Sequence, residues 1–440
     1  MNLNIKSVWN KPYRKKNKNG LISLVKLSAQ NVENLNKKEK KNDLHIVYLL
    51  DNSGSMGLPI KNTYQSALNV DHFFNQQNLY NARALNVELP NRSITKLQQV
   101  KNAVIESIKL LSSNDVFSII KFSSNATCIF ESQKATPENK ATAIRQIESV
   151  YVEGDTQMYK GFDAGINELL KEKFKDKNLT KRLFLLTDGE ATDRVAYDVF
   201  YDIAKSVSNK DSSPITISTF GVGDRFNEEF LLELSLSGSG SFYFLDADVS
   251  FTEVFLREVG ELQSLLTRNL KFSINSSEMS NVELMNNFKK DEDGDYILPN
   301  IISGRDVSFA IKCNAIGKSS KLKLVFKYKD NNNVQHIEMV DVNVDINEEN
   351  YINKEVEDFA LQIEIAKKQK EASEMIRKGD KMSAQTALNG ALSMTRQLNV
   401  NSLEATENVN KVLQSINSGD LNIAAKSSLS ASYETFYSRK

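Results

Sequence analysis

Cysteine is nearly absent from this chain: two residues in 440, Cys128 and Cys313. They are far apart and both sit in apolar, strand-like surroundings, so a disulfide framework is excluded. Two buried free thiols in a reducing compartment are the expectation. Histidine is almost as scarce, and His45, His72 and His336 form no metal-ligand spacing. Excess charge is missing too: 56 Lys and Arg balance 56 Asp and Glu. A whole-protein field for nucleic acid or an anionic membrane is thereby excluded. The basic cluster Arg14-Lys15-Lys16 lacks aromatic interleaving and reads as a solvated loop. No window approaches the roughly 18 apolar residues of a membrane span, and the segment from Met1 to Lys16 has no apolar core of signal-peptide length. The expectation is a cytoplasmic protein that binds no nucleic acid. Apolar content of 40% and charged content of 25% are ordinary for a globular chain, long enough for roughly two to three domains.

One stretch organises what is there. From His45 to Met56 the chain reads HIVYLLDNSGSM. Ile46 to Leu50 form an uninterrupted apolar run, the pattern of a strand buried on both faces of a parallel sheet. The character then changes: Asp51, Ser53 and Ser55 alternate with Asn52 and Gly54. Residues at i, i+2 and i+4 of an extended segment point the same way, so one carboxylate and two hydroxyls converge at the carboxyl end of a buried strand. Ligands of open α/β sheets bind at such ends. A hard oxygen set of low charge suits Mg²⁺.

The segment DNSGSM resembles the Asp-x-Ser-x-Ser signature of the von Willebrand factor type A domain and its metal-ion-dependent adhesion site. The resemblance implies two further ligands from distant loops. Gly154-Asp155-Thr156-Gln157-Met158-Tyr159 is similar to the family's Gly-Gly-Thr-x-x-Tyr loop, which makes Thr156 the fourth ligand. Thr187-Asp188-Gly189 matches its Thr-Asp-Gly, which makes Asp188 the fifth. Two departures stand out. Asp155 replaces a small residue and adds a carboxylate beside the site. An insertion over residues 57–92 separates the Ser-Gly-Ser turn from the amphipathic helix that follows it, SITKLQQVKNAVIESIKLL, for which Ser93 is the expected N-cap and Ile94 the first residue of the apolar stripe. Such a loop is long for a compact domain, and its position predicts a lid or specificity surface beside the ion.

Strands and helices alternate through residues 43–266, which defines an α/β unit with a doubly wound, mainly parallel, Rossmann-like sheet. Short alternating strands separated by turn residues occupy 267–347 and read as a β-sandwich. Two strands within residues 1–42 have no place in the α/β sheet and are expected to join that sandwich. Residues 350–418 read as a C-terminal α-helical hairpin or three-helix bundle with small residues on the facing sides. Residues 419–440 are polar and read as a frayed tail. This order resembles bacterial intracellular type A proteins, with a layout related to inter-α-trypsin inhibitor heavy chains.

Two other motifs carry little. Gly317-Lys318-Ser319 ends like a phosphate loop, but the first glycine of that motif would fall at Lys312 and no helix follows. Asp291 to Asp295 reads as β-turn chemistry in preference to a calcium loop. No His, Lys or Glu is positioned by sequence as a general base beside Asp51, so no catalytic residue is expected. The resemblance implies a Mg²⁺-dependent module, with Mn²⁺ or Ca²⁺ as alternatives, that binds a Glu or Asp of a protein partner. The relatives imply a bacterial stress, signalling or defence setting. The alternative is a metal-independent scaffold that uses the helical tail and the insertion.

Overall fold

The computed structural model describes residues 2–12, 20–30, 41–60, 94–171, 173, 179–210, 213–246, 249–331, 333–345, 351–400 and 402–437. The chain divides into two compact units: Asp43–Gly260, and a second built from Met1–Asn42 with Glu261–Lys440.

Strands β1 (Asn2–Trp9) and β2 (Leu21–Gln30) open the chain. The α/β unit then runs β3 (Leu44–Asp51), α1 (Lys96–Leu110), β4 (Val116–Phe122), β5 (Ala126–Lys134), α2 (Pro137–Glu148), α3 (Met158–Leu170), β6 (Thr180–Thr187), α4 (Tyr197–Ser208), β7 (Ile215–Val222), α5 (Glu228–Ser237), β8 (Ser239–Leu245) and α6 (Phe251–Gln263). Its sheet has the order β5-β4-β3-β6-β7-β8. Every pair is parallel except β4 with β5. The mainly parallel α/β sheet read from the sequence is therefore present. Strands β3 and β6 are buried along their whole length, which is why they carry unbroken apolar runs. Helix α3 lies close on the sheet through Gly161 and Gly165: a Cβ at either would come within 2.7 Å of Phe122 or Leu183.

Helix α1 starts later than the sequence pattern suggested. Thr95 is its N-cap, with its hydroxyl accepting from Gln98 N at 3.2 Å. Thr95-Lys96-Leu97-Gln98 has the Thr-x-x-Gln form of a capping box, a stronger local signal than Ser93. Ile94 accordingly lies outside the stripe and is exposed. Ser93 and residues 61–92 of the insertion, His72 among them, fall outside the described residues, and with them the expected lid. Pro59 bridges Thr95, and Lys96 N donates to Leu58 O at 3.0 Å.

The other unit continues with β9 (Arg268–Asn275), β10 (Met279–Leu284), β11 (Tyr296–Ile297), β12 (Val307–Ala315), β13 (Lys321–Lys329) and β14 (Gln335–Asn343). Two antiparallel sheets result, β1-β2-β12-β10 and β11-β9-β13-β14. The N-terminal strands belong to the first, with Val25 in register with Phe309. Phe272 of one sheet meets Phe309 of the other at 4.5 Å between ring centroids. Asp291 accepts from the backbone N–H groups of Asp293 and Asp295, so the acidic run is a turn. The helices are α7 (Lys354–Arg377), α8 (Lys381–Thr395), α9 (Ser402–Ser418) and α10 (Leu421–Phe436).

Two expectations are corrected. Residues 421–436 are not a frayed tail but helix α10, with Ile423, Ala424, Leu429, Tyr433 and Phe436 buried. Its serines made the segment read as polar, and its alanines are small. At helical spacing they permit close approach to α7: Ser428 Oγ donates to Gln369 O at 2.7 Å, and Ser373 Oγ to Ala425 O at 2.8 Å. Asn286 holds the helix end, donating from Nδ2 to Phe436 O at 2.9 Å. The second correction concerns the thiols: Cys313 is buried, but Cys128 is exposed because it faces outward on the edge strand β5.

Candidate metal site

Strand β3 stands where the sheet reverses its winding, with β4 on one side and β6 on the other. The carboxyl ends at such a switch point form the crevice in which α/β proteins bind ligands. Asp51 is the last residue of β3, and Thr187 is the last of β6.

Asp51 is 0% exposed. Its Oδ1 accepts from Ser53 N at 2.8 Å, a local turn that bends the chain out of the strand. Its Oδ2 accepts from Thr187 Oγ1 at 2.5 Å. Burial pushes the Asp51 carboxyl up to about 6, against the hydrogen bonds from Thr187 and Ser53, and the neighbouring Asp188 charge adds to the rise. Ser53 Oγ lies 3.2 Å from Ser55 Oγ, and Ser55 Oγ donates to Asp188 Oδ1 at 2.6 Å. Asp188 is likewise 0% exposed. Thr156 is buried and lies beside Gly189, as does Ser55: a Cβ on that glycine would be 3.4 Å from Thr156 Oγ1 and 3.9 Å from Ser55 Oγ. The five residues singled out in the sequence thus lie in one cluster fed by three segments.

The backbone ties these segments together. Gly54 N donates to Gly154 O at 3.2 Å, Glu153 N to Asn52 O at 2.7 Å and Thr192 N to Thr156 O at 2.9 Å. Gly154 has φ +62°, and a Cβ there would come within 2.3 Å of Ser124 Oγ, so only glycine fits this loop. Asp155, the departure next to Thr156, lies on the surface of this loop. The residue is exposed, and its backbone N–H is donated to Ser124 Oγ at 3.1 Å.

Two residues of the site were not foreseen. Thr187 holds Asp51, as the Thr-Asp-Gly motif could have indicated. Lys96, the first residue of α1, places its ammonium 2.6 Å from Asp188 Oδ2, with the lysine side chain 3% and the aspartate 0% exposed. Lys96 lies on the buried face of its helix, one turn before Val100, but a lysine at a helix start reads as solvated.

Among the described residues no group of three His, Cys, Asp or Glu side chains is arranged to hold a metal. This cluster is of another kind, two carboxylates with three hydroxyls, all hard oxygen donors. Two buried carboxylates against one ammonium leave a formal charge of −1 in a dry environment, which is unfavourable without a further cation. The donor set therefore fits a small divalent ion such as Mg²⁺.

Residues 91–258 match the sequence profile of the von Willebrand factor type A domain. The chain contains a von Willebrand factor type A domain. The matched range holds Thr156 and Asp188 and begins after Asp51, Ser53 and Ser55. Type A domains commonly mediate protein–protein interactions. In overall fold the chain is similar to a von Willebrand factor type A protein from Catenulispora acidiphila, with a TM-score of 0.64 at 14% identity over 93% of this chain and 89% of that one. It is also similar to the ArnB paralog VWA2 from Sulfolobus acidocaldarius, with a TM-score of 0.54 at 17% identity over 99% of this chain and 98% of that one. An uncharacterized protein of Synechocystis is 30% identical over 150 residues, which is 34% of this chain and 34% of that protein. The match thus spans about a third of that relative's length. No helix among the described residues is long and apolar enough to cross a membrane.

Proposed function

We propose that this protein is a Mg²⁺-dependent protein-binding module, with Mn²⁺ or Ca²⁺ as alternatives. Asp51, Ser53, Ser55, Thr156 and Asp188 would hold the ion. When bound, the ion supplies an electrophilic position that a Glu or Asp carboxylate of a partner protein can occupy. One observation carries the reading: two fully buried carboxylates and three hydroxyls meet at the switch point with a net negative charge. The rim beside them supports a protein partner. Gly57 lies against Val152, since a Cβ there would be 3.3 Å from Val152 Cγ2, and Leu58, Tyr151 and Val152 expose apolar surface. Exposed apolar residues around a polar centre are what a protein interface uses.

We read the site as binding and not as catalytic. The groups that contact Asp51 and Asp188 are hydroxyls, a backbone amide and the Lys96 ammonium, all donors to the carboxylates, and no imidazole is among them. A cytoplasmic location is consistent with two free thiols. A bacterial stress, signalling or defence role rests on the resemblance to bacterial type A proteins.

A second reading has its own support. Lys96 already gives Asp188 a cation, as a metal-independent scaffold would require. One experiment separates the two. Partners are captured on the immobilised full chain in Mg²⁺ and in EDTA, and again with Thr156→Ala. The adhesion-site reading predicts partners that are retained only in Mg²⁺ and only by the wild type. Equal recovery under all conditions would support the scaffold.

A further inference from the structure

Lys96 is an unusual residue to bury at this place. It opens helix α1, where the helix dipole disfavours a cation, and no acidic residue lies in that first turn. Its stem passes against the turn after β7: a Cβ at Gly223 would lie 3.0 Å from Lys96 Cε. With the stem packed in this way, the ammonium reaches Asp188 Oδ2 at 2.6 Å, while Ser55 takes Asp188 Oδ1 at the same distance. Helix preference does not explain this placement; the buried carboxylate does.

The consequence is one of charge. Asp51 and Asp188 contribute −2, and Lys96 returns the cluster to −1. A divalent ion brings the cluster to +1, and a partner carboxylate then brings it to zero. Without Lys96 the same sequence runs from −2 to zero to −1. In a water-poor site the neutral composition is favoured. With Lys96 that composition contains the ion and an external carboxylate; without it, the ion alone.

We propose that Lys96 is the specificity-determining residue of this site: its buried ammonium weakens ion binding on its own and makes ion retention depend on an acidic ligand. This rests on the reading of the site as a metal centre. Lys96 touches Asp188 and need not touch the partner, so it acts through the charge of the cluster.

The test is titration of the full chain with Mn²⁺, followed by the electron paramagnetic resonance of free ion, in chloride and in acetate at equal ionic strength. Acetate serves as the carboxylate probe. Lys96→Met keeps the stem and removes the charge. In chloride it should bind Mn²⁺ at least about tenfold tighter than the wild type, the scale of one unit charge removed a few ångströms from an ion. Acetate should tighten Mn²⁺ binding by the wild type and not by Lys96→Met. Lys96→Gln, a polar replacement, serves if Lys96→Met does not give the wild-type circular dichroism spectrum. Equal or weaker binding by the uncharged variant overturns the role given to Lys96 and leaves the metal site standing. Mn²⁺ taken up by Lys96→Met in chloride and by the wild type only in acetate supports that role, whereas a wild type that takes up none in either anion contradicts the carboxylate dependence. Uptake by neither protein overturns both.

Discussion

Ser55 donates its hydroxyl to Asp188 Oδ1 at 2.6 Å across a sequence separation of 133 residues. That bond joins the turn after β3 to the turn after β6, so two neighbouring parallel strands deliver their ends into one polar cluster. Around it, Thr187 secures Asp51 and Lys96 secures Asp188. The first prediction concerns that scaffolding.

Thr187→Val keeps the shape of the side chain and removes the hydroxyl that serves Asp51 Oδ2. A buried carboxylate oxygen then loses its partner, a loss of about 1–3 kcal/mol. Urea unfolding in EDTA, followed by circular dichroism, should show this destabilisation. An unchanged midpoint would mean that the Thr187 hydroxyl contributes nothing to holding Asp51.

Helix α10 supplies the second. Leu429 is 5% exposed, and truncation to alanine should destabilise the unit that contains it by about 2–5 kcal/mol. Ending the chain after Ser418 should be more damaging still, because it uncovers the face of α7 that Ser428 and Ala425 now cover. Loss of helical signal at a lower temperature checks both. A truncated protein as stable as the full chain would restore the frayed-tail reading.

That misreading shows where sequence patterns stop being informative. Strands β3 and β6 were legible because burial on both faces leaves an unbroken apolar run. Asp51, Ser53 and Ser55 were picked out by an alternation that assumed an extended backbone, whereas the strand ends at Asp51 and a 3₁₀ turn over Gly54–Gly57 carries Ser55, so a turn gathers the three side chains. Thr156 and Asp188 were legible only through the family motif, since nothing local ties them to Asp51. Helix α10 was missed because its serines dilute the apolar stripe: Ala424, Ala425, Leu429, Tyr433 and Phe436 share the buried face with Ser428 and Ser432. Lys96 was missed because a lysine at a helix start is ordinarily solvated, and only the fold brings Asp188 within its reach.

The thiols give a prediction in pH. Burial first, and the nearby Glu168 carboxylate next, push the Cys128 thiol up to about 11, although the residue is exposed. The reactive species is the thiolate. A raised thiol value means that this form is scarce at neutral pH and grows about tenfold per pH unit until about 11. Alkylation of the native protein by iodoacetamide should therefore be slow at pH 7 and rise steadily to the alkaline limit of folding. Cys313, buried and pushed up to about 12, should remain unlabelled. Rapid labelling of Cys128 at pH 7 would contradict this.

The central claim is that the cluster at the ends of β3 and β6 holds a divalent ion. Equilibrium titration of the purified full chain with Mn²⁺ in acetate, which supplies the carboxylate, tests it most directly, for the wild type and for Asp51→Asn and Asp188→Asn. The account predicts a single saturable site in the wild type that both substitutions abolish or weaken by more than about tenfold. No uptake by the wild type, or uptake that both substitutions leave untouched, would contradict it.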